Sequence, residues 1–468
     1  MATKQHVKTL KPARVDRSGL VAEPTTGSLR CDAPVSSPWN ATFTRWNRDP
    51  RRAAHRTVAL LVVALTVFSI APIVNNLRGI QNKDYNLWYQ TGQITMAAME
   101  IYPTDHRPFP FMYPPSCAAM LAFASVAGET PFVVFLLLLN SGAWVGSILL
   151  SVYLATGRAL GQHPLLYFVP TLIVIPFVHD MFLLGQPGLL LLVCLLGAFA
   201  CLRLERPWSA GALVAIATGI KAFPILAVGY LIYRRQWKAT AATFLALAFL
   251  LLVLPIPLRG VRGTWNDLST WTRGMILKYD EGSIAQRPER SYSFKNQSLV
   301  AVANRLLRSI PADGEAKDGW QINIADLDFR SVNALIILTS LGICGFYLVM
   351  MPRRSRRTDQ TDAIETAMLL ILIVTFTPLS FDYSYVWLIY PLTITVHWVL
   401  EAPARSPERT ARLAAVLWFL VVFSLSLPFR RTAQACGNLL AAGLLLLLVL
   451  GWQMTTINRK IRPQMDTD

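Results

Sequence analysis

The stretch 208–233 constrains this chain more than any other. It is apolar or small almost throughout, yet it holds Lys221 at its middle and Pro224 just beyond. Basic residues flank both ends: Arg203 and Arg206 before it, then Arg234, Arg235 and Lys238 after it. Loops rich in Lys and Arg stay on the cytoplasmic side of a membrane, so one span with cationic flanks at both ends breaks the rule. The pattern predicts two short helices that enter from the cytoplasmic face and return, with the reversal at Lys221 and a proline-favoured break beside it. A lysine at membrane depth is costly and normally faces a protein cavity with an anionic partner. Two readings follow. Lys221 is either a phosphate anchor on the side opposite the cytoplasm or a snorkelling lysine with a structural role.

Composition fixes the class. Hydrophobic residues make up 53% of the 468-residue chain, charged residues 15%, and mean hydropathy is +0.41. Soluble domains do not combine these values, whereas polytopic membrane proteins do. The net charge of +17 is concentrated in the N-terminal tail and in short loops. No aromatic or Gly-rich pattern accompanies it, which argues against a nucleic-acid partner. Cys31, Cys117, Cys194, Cys201, Cys344 and Cys436 form no CxxC pair and no cluster with His, so neither a zinc site nor a disulfide framework is indicated. The first apolar run begins near Thr57, behind a polar tail, and reads as a retained signal anchor.

The predicted fold is an all-α polytopic membrane protein with both termini cytoplasmic. Residues 1–56 read as a disordered basic tail, 57–453 as a membrane domain of about twelve segments, and 454–468 as a second cytoplasmic tail. The expected spans are 58–74, 132–155, 165–184, 188–202, the two arms of 208–233, 239–258, 333–351, 366–380, 384–400, 413–427 and 439–452. The first outer loop, 75–131, carries an amphipathic piece at 87–99 and a semi-apolar piece at 114–127. The latter is short for a bilayer core that needs about 20 residues, and is read as interfacial. The hydrophilic insertion 259–330 falls outside, with Leu299, Val302, Ala303, Leu306 and Leu307 on one helical stripe. The outer pair Arg430 and Arg431 is the exception to the charge rule. Neither a tandem repeat nor a pair of transporter-like halves is visible.

In this register Asp84, His179, Asp180, Gln186, Lys221, Asp382 and Tyr383 all lie at outer ends of segments. Polar groups converging in apolar surroundings mark a ligand site. Asp84 suits a general base that takes a proton from an attacking hydroxyl. Lys221 suits a fixed cation that holds a phosphate leaving group. Each residue also has a plainer reading. Asp84 reads equally as a loop carboxylate or a helix cap, His179–Asp180 as an interfacial hydrogen-bonded pair, and Asp382 as a lone loop acid. Tyr113, Trp88, Trp265 and Trp271 read as interfacial belt aromatics or as ligand platforms. Arg287, Arg290 and Lys295 read as solvated loop charges or as a second phosphate contact, Arg290 foremost.

From about Asp84 to Pro391 the chain resembles glycosyltransferase family 87, among the polytopic glycosyltransferases of the GT-C type. Four blocks carry the resemblance. The first is Asp84-Tyr85, then Tyr102-Pro103 and Phe111-Met112-Tyr113-Pro114-Pro115. The second is Gly185-Gln186-Pro187-Gly188 opening an apolar helix. The third is Ala210-Gly211, then Gly219-Ile220-Lys221-Ala222-Phe223-Pro224 and Arg234-Arg235-Gln236-Trp237. The fourth is Asn296-Gln297-Ser298-Leu299 with Arg305, then Thr377-Pro378-Leu379-Ser380-Phe381 before Trp387 and Pro391.

The resemblance implies transfer of a hexose, typically mannose, from a polyprenyl-phosphate sugar to an acceptor hydroxyl on the extracytoplasmic side. The anomeric centre inverts in one displacement. It implies Asp84 as the base and Lys221 near the donor phosphate, with no metal and no cofactor beyond the lipid-phosphate sugar as co-substrate. Tyr113, His179, Asp180, Gln186, Asn296, Gln297, Asp382 and Tyr383 are then candidate sugar or acceptor contacts. Family members often carry a His pair where this chain reads Asp382-Tyr383, which makes those two residues candidates for that polar role. The partners expected are the donor, a lipid or glycan acceptor and membrane lipids, in a bacterial plasma membrane. Two rivals remain: a transporter or flippase for a lipid-linked sugar, and a non-catalytic scaffold whose outer loop binds a partner.

Overall fold

An apolar run closes its backbone hydrogen bonds internally only as a helix, and helices are what the apolar runs of this chain form. The structure is a computed structural model and describes residues 50–79, 84–105, 108–313 and 319–465. Among them there is no strand, only two isolated antiparallel bridges, Tyr279–Ile284 and Asn296–Phe381. Residues Ala54–Asp468 make one unit, which holds every contact described below. The predicted N-terminal tail lies outside the described residues up to residue 49; from Pro50 the chain is helical.

The helices in chain order are α1 (Pro50–Leu77), α2 (Asp84–Met96), α3 (Pro115–Ser125), α4 (Glu129–Thr156), α5 (Leu165–Leu184), α6 (Gly188–Arg203), α7 (Pro207–Ile220) and α8 (Ala227–Tyr233). They continue as α9 (Trp237–Ala248), α10 (Ile256–Trp271), α11 (Leu299–Leu307), α12 (Phe329–Met350), α13 (Asp359–Phe376), α14 (Ile389–Glu401), α15 (Pro407–Ser424) and α16 (Asn438–Met465). Side-chain caps start several of them: Ser298 on α11, Asp328 on α12, Thr358 in a capping box on α13 and Ser406 on α15.

Among the described residues, four helices are long and apolar enough to cross a membrane: Glu129–Thr156, Leu165–Leu184, Phe329–Met350 and Asn438–Arg459. A fifth is added if the bent pair Trp237–Val253 and Ile256–Leu277 counts as one span. The other predicted segments are helices too, but shorter or more polar. Of the twelve expected segments, length and composition therefore support four or five.

The segment 208–233 is broken where expected. α7 ends at Lys221, whose backbone is extended (φ −150°, ψ 129°). A 3-10 turn, Phe223–Leu226, follows and leads into α8. The close approaches of two glycines give the direction. A Cβ on Gly211 would fall 2.2 Å from the Ala239 carbonyl, and one on Gly219 would fall 3.1 Å from a Leu250 methyl. Contacts that advance together along α7 and α9 mean the two helices run parallel, so the chain between them turns back. At about 1.5 Å per residue, α7 is roughly 20 Å long, less than a bilayer core of about 30 Å.

Two local features shape this layout. The insertion 259–330 begins inside a helix. α9 passes through a π turn, Phe249–Val253, and bends by 98° into α10. The short piece predicted at the interface, α3, is buried along most of its length, and Ser116 Oγ donates to the Gly219 carbonyl. Its shortness reflects a place among other helices.

α13 lies at the centre and is buried almost end to end. Its first turns carry one end of the molecule: Asp359 pairs with Arg203, Glu365 with Arg234, and Arg357 with Asp362. The polar residues predicted to converge lie at the other end.

Candidate active site

Four elements deliver the site. α5 stops at Gly185, whose φ of +76° is the left-handed geometry of a helix C-cap. Glycine is also required there for space, because a Cβ would sit 2.9 Å from the Tyr85 ring. Tyr85 OH donates to the Phe182 carbonyl at 2.7 Å, which locks the start of α2 against the end of α5. This close approach brings Gln186 to the first residue of α2. Gln186 Nε2 donates to Asp84 Oδ2, and Tyr113 OH donates to Gln186 Oε1 at 3.1 Å. The carboxylate of Asp84 is thereby aimed by a chain of two hydrogen bonds.

Burial pushes the Asp84 carboxyl above its ordinary value. The Gln186 hydrogen bond, then the charges of Arg290, Lys221 and Arg287, pull it partly back. A carboxylate raised in this way is a better base near neutral pH than a solvated one.

Lys221 arrives from the break after α7. Its ammonium lies 5.4 Å from the centre of the Phe223 ring, 5.7 Å from Tyr113 and 5.9 Å from Tyr383. Ring faces attract a cation but accept no conventional hydrogen bond, so its three N–H donors stay available. Among the described residues Lys221 has no hydrogen-bond or ion-pair partner. The expected acidic partner is absent from contact range, and Asp84 is the acid that acts on it through space.

Three cavities lie around these groups. The first, about 910 Å³, is polar and is lined by Asp84, Gln186, Arg290, Asp382 and Tyr383 among others. The second, about 480 Å³, is largely apolar and holds Lys221 and Tyr113 beside Phe223, Trp271 and Ile276. The third, about 400 Å³, shares Asp180, Asp382 and Arg430 with the first. Tyr113 and Tyr383, both within ring contact of Lys221, belong to the second and first cavities respectively.

Asp84, Asp180, Gln186, Arg290, Asp382 and Tyr383 line the first cavity, and Tyr113 and Lys221 line the second. His179 is displaced to the third cavity, with Nδ1 3.5 Å from Asp180 and its ring edge-on to Phe68. Asn296 and Gln297 instead bond to backbone groups. Both are fully buried and line none of the three cavities. Asn296 Nδ2 donates to the carbonyls of Ser291 and Pro378, and its Oδ1 accepts from Ser380 N–H. Gln297 Nε2 donates to the carbonyls of Phe294 and Gln434. They pin the insertion 259–330 to the segment that presents Asp382 and Tyr383. Trp88 and Trp271 are buried rather than belt aromatics: Trp88 packs on Tyr113, and Trp271 donates to the Met112 carbonyl.

Sequence reasoning gave Arg430 and Arg305 no role at the site and left Arg287 as a solvated charge or a second phosphate contact. Arg430 Nη2 bridges Asp180 Oδ2 at 3.1 Å and Asp382 Oδ2 at 2.5 Å. The signal was its position, since an outer arginine against the charge rule needs local anions. Arg287 donates to the Phe109 carbonyl and stands close enough to act on Asp84. Arg305, fully buried, donates to the carbonyls of Ser293, Asn296, Gln434 and Ala435. It ties the insertion to the turn that carries Arg430.

The model of glycosyltransferase family 87 matches residues 111–378, more than half of the sequence. Tyr113, Gln186, Lys221 and Arg290 fall within that range, while Asp84, Asp382 and Tyr383 lie outside it. No curated protein and no solved structure matches.

Proposed function

The chain belongs to glycosyltransferase family 87, and from that premise we propose that it transfers a hexose, mannose in our reading, from a polyprenyl-phosphate donor to an acceptor hydroxyl on the extracytoplasmic face of a bacterial plasma membrane. One observation carries this reading. An unpaired, aromatic-caged lysine lines an apolar cavity, within ring contact of Tyr383 from the polar cavity that holds the half-buried carboxylate of Asp84. A lipid phosphate needs that juxtaposition: hydrocarbon on one side, a cation at the junction and a reacting sugar beyond.

The prenyl chain lies in the apolar cavity, and the phosphate meets the three free donors of Lys221. The sugar projects into the polar cavity. There Asp84, aimed by Gln186, takes the proton of the acceptor hydroxyl. The acceptor oxygen bonds to the anomeric carbon as the bond from that carbon to the phosphate oxygen breaks. The electron pair leaves on polyprenyl phosphate, and Lys221 stabilises it. Attack opposite the leaving group inverts the anomeric centre. The rings around Lys221 exclude water, which strengthens the cation's field and protects the donor from hydrolysis. The basic residues gathered at the opposite end, around α13, support the extracytoplasmic placement.

The test is incubation of purified protein with radiolabelled polyprenyl-phosphate mannose and a membrane lipid extract. Label should move into a new product, and Asp84→Asn should lower the rate by roughly 10²–10⁴-fold while the protein still folds. Normal turnover by Asp84→Asn would refute the base. Label crossing proteoliposomes without product would replace the enzyme by a carrier.

A further inference from the structure

A fourth cavity, of about 530 Å³, is built by the insertion 259–330 and has no part in the chemistry above. Thr270, Arg273, Lys278 and Gln286 line it, with Leu277 among its apolar residues and Asp280 its acid among the described residues. Neither Asp84 nor Lys221 reaches its wall. Gln286 is only 8% exposed. Its backbone is fixed, because its N–H donates to the Gly274 carbonyl at 2.9 Å and its carbonyl accepts from the Phe109 N–H at 3.3 Å. Its side-chain amide has no hydrogen-bond partner among the described residues. Buried amides are normally satisfied, so one left open on a cavity wall is a place for a guest that hydrogen-bonds.

Charge says what kind of guest. Arg273 pairs with no acid among the described residues. Lys278 Nζ comes only within 4.0 Å of Asp280 Oδ2. Two cations thus face one carboxylate, and an unpaired guanidinium presents a planar fork that fits two oxygens of a phosphate. Position says where the phosphate comes from. α10 and the π turn that extends it, Thr272–Leu277, leave α9 at 98°, so they run across the direction of a span rather than along it. Val261, Trp265, Ile276 and Leu277 are exposed on this element. A helix of that direction with an apolar flank, a tryptophan and arginines is built to sit in a membrane interface.

We propose that this cavity holds the phosphate of an anionic phospholipid resident in the membrane, separate from both donor and acceptor. The phosphate takes the Arg273 fork, the rest of the headgroup meets Lys278 and the Gln286 amide, and the acyl chains leave over Leu277. A zwitterionic headgroup would bring its own cation against Arg273 and Lys278, so the site selects an anionic one. Lys278 and Tyr279 also line the Lys221 cavity, so the bound lipid braces a wall common to both.

The test is photolabelling of the full chain in phosphatidylcholine nanodiscs, with a phosphatidylglycerol that carries a diazirine near the glycerol end of one acyl chain. Neither donor nor turnover is needed. Label should map to peptides within 256–286, and unlabelled phosphatidylglycerol should displace it where added phosphatidylcholine does not. Arg273→Gln should weaken labelling about tenfold, the loss of one charge-assisted contact. Arg262→Gln, an exposed arginine on the same helix that does not line the cavity, should leave labelling unchanged. Gln286→Leu should also weaken labelling; if that variant fails to fold, Gln286→Glu keeps the size and should weaken labelling by like charge. Equal displacement by phosphatidylcholine, equal loss in Arg262→Gln and Arg273→Gln, or full labelling of Arg273→Gln overturns the proposal. Displacement by inorganic phosphate at the concentration at which phosphatidylglycerol displaces would reassign the site to a soluble phosphate and overturn the lipid. None of these results bears on sugar transfer, which the Asp84→Asn assay tests by itself.

Discussion

Lys221 and Arg234 stand at the two ends of one folded-back segment, and both are cations shielded from water. Their surroundings differ. Arg234 Nε donates to Glu365 Oε2 at 3.0 Å, its Nη2 pairs with Glu365 Oε1, and its Nη1 donates to the Pro352 carbonyl. Tyr230 OH also donates to Glu365 Oε2, and Tyr347 OH donates to the Glu365 backbone carbonyl. Lys221 has three rings and no anion. A buried charge whose hydrogen bonds are all met within the protein is a structural joint. A buried charge held in place with its donors free is set up for something the protein does not itself contain. The α13 end of the molecule is therefore read as a clasp, and the Lys221 end as a workplace.

The largest effect expected from this contrast is on stability. Arg234→Met leaves the Glu365 carboxylate, which has no exposed surface, without its counter-ion. It should destabilise the protein by about 3–5 kcal/mol, and Arg234→Met with Glu365→Met should recover most of that loss. Thermal unfolding of the three variants in one detergent decides the matter. A double variant no better than the single one would remove the distinction between clasp and workplace.

Lys221→Met is the counterpart and should act in the opposite way. It removes a cation that no protein group neutralises, so Tm should hold or rise. The donor KM should increase about 10- to 100-fold, the value of a hydrogen-bonded charge contact of about 1.5–3 kcal/mol. An unchanged donor KM together with a fall in Tm like that of Arg234→Met would make Lys221 structural as well.

This contrast was half legible in the amino-acid sequence. The break at Lys221 could be read from flanking charge alone, because topology rules act on local sequence. The span expected at 165–184 is the helix Leu165–Leu184, since a glycine and a proline-containing turn punctuate it. What could not be read was pairing across distance. Arg234 finds Glu365, 131 positions away, and Arg430 finds Asp180, 250 positions away. No periodicity encodes such meetings. The backbone partners of Asn296 and Gln297 were hidden for a related reason. A buried amide in a loop serves the backbone as readily as a substrate, and only the carbonyls of Ser291, Phe294, Pro378 and Gln434 show which it does. The 98° bend after α9 was also hidden, because a helix that turns along a surface keeps the composition of a loop.

The smallest effect expected is a shift in pH dependence, and it tests whether the working end is one electrostatic unit. Asp84 acts as a base only when ionised, so kcat/KM should fall on the acid side as its carboxyl takes up a proton. Burial raises that carboxyl's pKa, and the charges of Arg290, Lys221 and Arg287 oppose the rise. Arg290→Ala removes one opposing charge. The pKa should climb further, and the acid limb should move to higher pH. The stability consequence has a definite sign. A carboxyl raised in the folded state contributes stability below its unfolded pKa and loses it as pH rises through the folded value. Asp84→Asn should therefore match the wild type in acid and gain on it towards neutral pH, although it cannot turn over. An acid limb that stays in place, or moves to lower pH, in Arg290→Ala would mean that Arg290 and Asp84 do not share a field. The polar cavity would then be two separate sites rather than one.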